Sequence, residues 1–166
     1  MNLFHLVLAF LVVQRLAELA LARRNTARLL AAGAQEHGSR HYPLFVVLHG
    51  GWLVALAVFT PADATINAPL FIVFVALQLG RVWVIASLGR YWTTRIITVP
   101  DAPLVKRGPF RFVRHPNYMV VIGEIAVVPL MIGLWEVAVV FSILNLALLT
   151  WRIRAEEEAL SPRRSG

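Results

Sequence analysis

An all-α integral membrane protein with five transmembrane helices is the fold class this sequence predicts, and three observations predict it. Hydrophobic residues make up 58% of the 166-residue chain and charged residues only 15%, with a mean hydropathy of +0.69, too apolar for a soluble domain built on one core. Five apolar runs approach the roughly 20 residues that a helix needs to cross about 30 Å of hydrocarbon. The basic residues cluster in alternate connections between those runs, the pattern that membrane orientation imposes on a chain.

The first run, residues 3–22, has no basic region before it and carries Arg15 and Glu18 within it, so it is expected to be a retained helix and not a cleaved signal peptide. The second, third, fourth and fifth runs are residues 44–59, 68–88, 119–134 and 137–151. The second, fourth and fifth are short, so they must borrow flanking residues, lie in a thin region or be covered by protein. Only "GLWE" separates the last two, which makes them an antiparallel helical hairpin. Arg23, Arg24, Arg28 and Arg40 follow the first run; Arg90, Arg95, Lys106, Arg107, Arg111 and Arg114 follow the third; Arg152, Arg154, Arg163 and Arg164 follow the fifth. The connection "TPADATINAP" after the second run and the turn after the fourth carry neither lysine nor arginine. This asymmetry places the N-terminus outside and the C-terminus in the cytoplasm. No repeat, low-complexity tract or second domain interrupts residues 1–166.

Composition also excludes several kinds of chemistry. The formal charge of +7 would point to nucleic acid on a soluble protein, but orientation in the membrane explains it, and no nucleic-acid partner is expected. Without cysteine there is no disulfide framework, no thiolate nucleophile and no cysteine-held metal. Five scattered histidines with no H-x-x-x-H pair on a helix give metal catalysis little support, and no metal is expected.

The polar positions that remain are informative. Residues 89–118 form a connection of about 30 residues, long for a helical bundle. Trp92, Ile96, Ile97, Val99, Phe110 and Phe112 make it too apolar for a solvated linker, while Pro100, Pro103, Pro109 and Pro116 prevent one continuous helix. It is expected to pack over the cytoplasmic mouth, with "RHPNY" starting the fourth span. Pro116 suits a first helical turn, and Arg114 and His115 would flank a helix start that favours an anion. A plain membrane-surface helix start is the alternative. Arg81 and Glu124 lie inside apolar runs, where an ionisable group costs a few kcal/mol unless paired or wetted, so both are site candidates, with a structural Arg81–Glu124 pair as the competing account. Arg152 and Glu156 stand one turn apart near the chain's end with Glu157 beside them, and three glutamates at a helix C-terminus oppose the macrodipole. His41 and His49 read as hydrogen-bonded structural residues, and Tyr42 and Trp52 as interfacial anchors.

"LVKRGPFRFVRHPNY", followed by an apolar hairpin and "RIRAEEEAL", resembles the isoprenylcysteine carboxyl methyltransferase family of membrane-embedded enzymes. The likeness is greatest to its short bacterial branch, linked to O-methylation of lipophilic polyketides such as alkylpyrones. "QRLAELALARRN", "EHGSRHY" and "SLGRYWTTRI" resemble landmarks of the same branch, so the resemblance covers most of the chain. It implies an S-adenosylmethionine site at the cytoplasmic mouth of a bacterial inner-membrane protein. Leu104, Val105, Gly108, Arg114, His115, Asn117, Tyr118 and Glu157 are its candidates for cofactor contact. Arg152, Glu156, Arg81 and Glu124 are the candidates for acting on the acceptor, with Arg152 first and Arg81 second as the arginine that orients it. The chain ends six residues after Leu160, which argues against a prenylcysteine acceptor. Methyl transfer from a sulfonium needs positioning of an anionic oxygen and neither metal nor covalent intermediate. The expected acceptor is a lipophilic carboxylate, enol or phenol that reaches a monomer from the membrane lipids. A phospholipid N-methyltransferase, whose relatives share part of the motif, is one alternative. A proton-coupled exporter using Glu124 is another, from a different class.

Overall fold

The computed structural model describes residues 3–37, 42–100 and 105–160, with side chains up to residue 157. Its elements in chain order are α1 (Leu3–Ala31), β1 (Gln35–His37), α2 (Tyr42–Phe59), α3 (Ala68–Leu88), β2 (Ile96–Thr98), α4 (Pro116–Leu130) and α5 (Trp135–Leu160), with short 3-10 turns at Gly89–Tyr91 and Gly108–Arg111. The helices pack as an antiparallel bundle. β1 and β2 form a small antiparallel pair across its mouth, Glu36 opposite Ile97, which is the one departure from an all-α fold among the described residues.

The surface is inverted relative to a soluble protein. Val47, Val58, Ile72 and Leu79 are about two-thirds exposed or more, which suits a helix surface facing lipid, where apolar side chains need no cover. A core of Phe4, Leu11, Trp52, Leu56, Phe74 and Ile125 fills the centre. At the end away from the mouth, Asn67 caps α3 by accepting from the Leu70 amide at 3.1 Å, and its own N–H donates to the Met131 carbonyl at 2.8 Å. That bond ties the start of α3 to the end of α4.

The expectation of five transmembrane helices is corrected here. Among the described residues four helices, Leu3–Ala31, Tyr42–Phe59, Ala68–Tyr91 and Trp135–Glu157, are long and apolar enough to cross a membrane, and α4 is not. Its 15 residues span about 22 Å at 1.5 Å per residue, against about 30 Å of hydrocarbon. The apolar run to residue 134 overstated the helix because its last residues form the turn. Gly133 takes φ +79, its N–H donates to Leu130 and that of Leu134 to Pro129, the crossed pair of bonds that closes a helix on a left-handed glycine. α4 is instead covered by protein, with seven of its residues buried, Glu124 and Ile125 among them. It lies against α3 closely enough that a Cβ on Gly123 would stand 2.8 Å from the Leu77 side chain. Being short, it starts recessed below the mouth, and the connection before it folds inward to meet it.

Charge holds α4 at that depth. Glu124, fully buried, accepts from Gln78 at 2.7 Å, from the Arg81 Nε at 3.0 Å and from the terminal nitrogens of Arg81 and Arg15. Glu18 accepts from Arg15 at 3.0 Å and from Arg81 at 3.2 Å. Two arginines and two glutamates therefore neutralise one another across α1, α3 and α4. Removing one member of a buried pair costs on the order of 3–5 kcal/mol, because the partner's charge is left uncompensated. Glu124→Gln should lose stability of that order in denaturant unfolding in detergent, whereas Glu36→Gln, which breaks the part-exposed Arg95–Glu36 pair at 3.0 Å, should lose about 0–1 kcal/mol. Similar losses for both would show that the buried network does not hold the bundle.

Candidate active site

The mouth is assembled by side-chain bonds to backbone carbonyls between segments distant in the chain. Asn25 near the end of α1 donates to the Trp92 carbonyl at 2.9 Å and the Gly89 carbonyl at 3.2 Å, which fixes the start of the long connection. Further along, Gly108 takes φ +59 and lies so close to α3 that an added Cβ would stand 2.0 Å from the Ser87 hydroxyl. Arg107 donates from Nε to the Ser87 carbonyl at 2.8 Å. No other residue type fits both the backbone conformation and the approach. These contacts bring the connection down to Pro116, the first residue of the recessed α4.

The Tyr118 hydroxyl is the meeting point of the polar groups. It accepts from the Arg152 Nε at 2.9 Å and donates to Glu156. Arg152 also donates from Nη2 to the Thr94 carbonyl at 2.9 Å, and its guanidinium stands 5.4 Å from the centre of the Phe45 ring. Helix α5, the connection and α4 are thereby locked together around one arginine, whose Nη1 takes part in none of these bonds. His115 stacks on the Tyr118 ring at 5.2 Å with 17° between planes, and its Nε2 is 3.9 Å from a Glu157 oxygen. His115 Nε2 and the Asn117 side-chain oxygen are buried without a hydrogen-bond partner, which in a native protein calls for a ligand or an ordered water.

On the other side of Arg152 lies a cavity of about 290 Å³. Val12, Leu16 and Leu19 of α1 and Phe45, Val46 and Leu53 of α2 form much of its wall, and Tyr42, Thr94, Tyr118 and Arg152 form its mouth end. Arg15, Glu18, His49 and Arg81 also reach it. Leu16 of α1 and Val46 of α2 line the cavity and are 62% and 49% exposed.

The candidate residues from the sequence fall into three groups. Tyr118, Arg152, Glu156, His115, Asn117 and Glu157 converge at the mouth. Arg81 and Glu124 sit deeper in the ion network, Arg81 touching the cavity and Glu124 not among its lining residues. Gly108 packs on α3, Val105 is half-buried and Arg114 is exposed; Leu104, Arg40, His41, Arg163 and Arg164 lie outside the described residues. Sequence reasoning missed Arg15 and Glu18 as partners of Arg81 and Glu124, and Phe45 and Thr94 as neighbours of Arg152. The charged pair three residues apart inside the first apolar run was the available signal for the first two. Among the described residues, no three histidine or acidic side chains stand together in a way that could hold a metal ion.

Residues 70–162 match the model of the isoprenylcysteine carboxyl methyltransferase family, a stretch that runs from the start of α3 through Tyr118 and Arg152. The chain belongs to that family. It is 40% identical to the uncharacterised protein YpbQ of Bacillus subtilis (strain 168) over 95% of this chain and 96% of the relative. An uncharacterised protein of Haemophilus influenzae (strain Rd) is 27% identical, covering 97% of this chain and 96% of that one. No solved structure matches significantly. The protein is thus an integral membrane member of a methyltransferase family, and use of S-adenosylmethionine is what the membership implies.

The shared hydroxyl makes a direct test of this geometry. Tyr118→Phe leaves Arg152 and Glu156 without their common partner, which should cost about 1–3 kcal/mol of stability. Tyr91→Phe, which removes an exposed hydroxyl accepting from Arg90 at 2.7 Å, should change it by less than about 0.5 kcal/mol. Denaturant unfolding of both variants in detergent checks the difference, and equal values would mean that Tyr118 does not organise the mouth.

Proposed function

We propose that this protein transfers the methyl group of S-adenosylmethionine to a carboxylate, enol or phenol oxygen of a lipophilic acceptor. The observation that carries the reading is the position of Arg152, clamped from one side by the Tyr118 hydroxyl and the Thr94 carbonyl and lining an apolar cavity on the other. When bound, S-adenosylmethionine supplies an activated methyl on a sulfonium. His115, Asn117 and Tyr118 at the start of α4, with Glu156 and Glu157 from α5, would hold it. The fit is chemical: two carboxylates suit a cation and an amino group, and the partnerless His115 Nε2 and Asn117 oxygen offer further hydrogen bonds.

This chain's own work is binding and aiming. Arginine presents a rigid planar fork to an anion, and with Nε and Nη2 of Arg152 committed to Tyr118 and Thr94, Nη1 is the donor left for an acceptor oxygen. A carboxylate or acidic enol is ionised at neutral pH, so no strong general base is required. The alkyl part of the acceptor would lie along Leu16, Val46 and Leu53, entering from the bilayer between α1 and α2. An arginine at the cavity's polar end favours an anionic oxygen over the cationic amine of a phospholipid N-methyltransferase. Glu124, sealed by Arg15, Arg81 and Gln78 and away from the cavity, is poorly placed for the proton exchange of an exporter. Arg81 and Glu124 act here by holding α4 in place. The arginine-rich mouth supports a cytoplasmic orientation in a bacterial inner membrane.

Calorimetry in detergent should detect saturable binding of S-adenosylmethionine and of its demethylated product, undiminished by a chelator. Absence of heat at millimolar cofactor, with the protein folded, would overturn the reading. Arg152→Lys should lower turnover about a hundredfold, because a misplacement of about 1 Å of a reacting atom costs that order in rate, while cofactor affinity changes far less. Near-normal turnover would remove Arg152 from the acceptor site.

A further inference from the structure

The cavity has polar groups in two places. One is the mouth end at Arg152. The other is deeper, on the walls formed by α1 and α2, where Arg15, Glu18 and His49 line the same space. Phe45 faces Arg152 and His49 follows it by four residues, so the second point lies about 6 Å further into the membrane at 1.5 Å per residue. In an apolar cavity within a bilayer, polar groups that line the wall and are not used up by one another are expensive, and they mark a ligand contact by default.

These groups are not used up. The Arg15 Nε and the Glu18 Oε1 are buried with no hydrogen-bond partner, although the same two residues meet through Nη1 and Oε2 at 3.0 Å. The His49 Nδ1 stands 2.9 Å from the Phe45 carbonyl oxygen. A carbonyl can only accept, so Nδ1 carries the proton and Nε2 of the neutral ring is an acceptor. Charge decides what such a site would take. Arg15 and Arg81 balance Glu18 and Glu124, so a second ionised group on a ligand would be buried without a counter-charge, at a cost of several kcal/mol. A hydroxyl is neutral, donates one hydrogen bond and accepts others, which matches the acceptor Nε2 of His49.

We infer that His49, with Glu18 and Arg15 beside it, forms a second recognition point that takes a neutral hydroxyl of the lipophilic molecule, about one helical turn deeper than the oxygen held by Arg152. The name acceptor for that molecule rests on the methyltransferase reading; the binding site itself does not. The site discriminates molecules by one hydroxyl at a depth where water cannot compete for the bond. A ligand lacking it leaves the polar wall unpaired, and specificity arises from that penalty more than from the bond gained.

The test uses binding, so that it stands apart from turnover. Radiolabelled pentadecylphenol and pentadecylresorcinol share an alkyl chain and differ by one ring hydroxyl, and their affinities are measured by equilibrium binding to the full-length protein in nanodiscs. The resorcinol should bind about tenfold more tightly, the yield of one well-formed hydrogen bond. His49→Phe should bring the two affinities together, and His49→Gln, whose amide oxygen keeps an acceptor, should retain part of the preference. Equal affinities for the unaltered protein, undetectable binding of both included, would overturn the inference, as would a preference that survives in folded His49→Phe. If the phenylalanine variant does not fold, loss of the preference in His49→Leu or its persistence decides the same point. Methyl transfer to neither probe, with the binding preference intact, would count against the methyltransferase reading and leave the recognition point standing.

Discussion

Glu124 is the constraint on which the mouth of this protein depends. It sits on a helix of 15 residues, too short for the bilayer to hold by matching its length. Its depth must therefore be set by contacts with other helices, and the bonds from Arg15, Arg81 and Gln78 supply the directional part of that hold. The close approach of Gly123 to Leu77 and the tie from Asn67 to Met131 supply the rest. Once α4 is fixed, so is the position of its first turn, and with it His115, Asn117 and Tyr118.

A recessed first turn has consequences for chemistry. The long connection reaches it from an anchor at Asn25, with Thr94 bonded to Arg152 and Gly108 packed against Ser87 on the way. Tyr118 can then bridge Arg152 and Glu156 from below. This cluster carries the Glu156 and Glu157 carboxylates and the buried, partnerless His115 Nε2 and Asn117 oxygen, and through Arg152 and Tyr118 it closes a cavity walled by leucine, valine and phenylalanine. A soluble, charged methyl donor and a lipid-soluble acceptor have no common solvent, and a site of this kind lets each remain in its own until the reacting atoms meet.

The sequence made the bundle legible through hydropathy and the spread of arginine, and it singled out Arg152, Glu156, Tyr118 and His115 through a short motif and an odd charge run. Other features were hidden for physical reasons. Hydropathy counts apolar residues whether or not they are helical, so Leu134 was assigned to a span when Gly133 had already turned the chain. Pairing between helices leaves no period in a sequence: Arg15 and Glu124 are 109 residues apart, and Arg15 with Glu18 read only as marks of a helix that is not cleaved. The strand pair between residues 35–37 and 96–98 is too short for its alternation to be seen. Thr94 contributes a backbone carbonyl, which any residue type would supply.

If the cluster at the mouth and the apolar cavity behind Arg152 serve one methyl transfer, the label of the donor must end in a lipid-soluble product. The most direct test incubates the purified protein in nanodiscs with methyl-labelled S-adenosylmethionine and a lipid extract of its own host membrane, then partitions the mixture between water and organic solvent. Protein-dependent label should appear in the organic phase, in a product that gains one methyl on oxygen by mass analysis, and should be lost when Arg152 is replaced by methionine. Label that remains wholly in the aqueous phase, or an organic product methylated on nitrogen, would contradict that shared role.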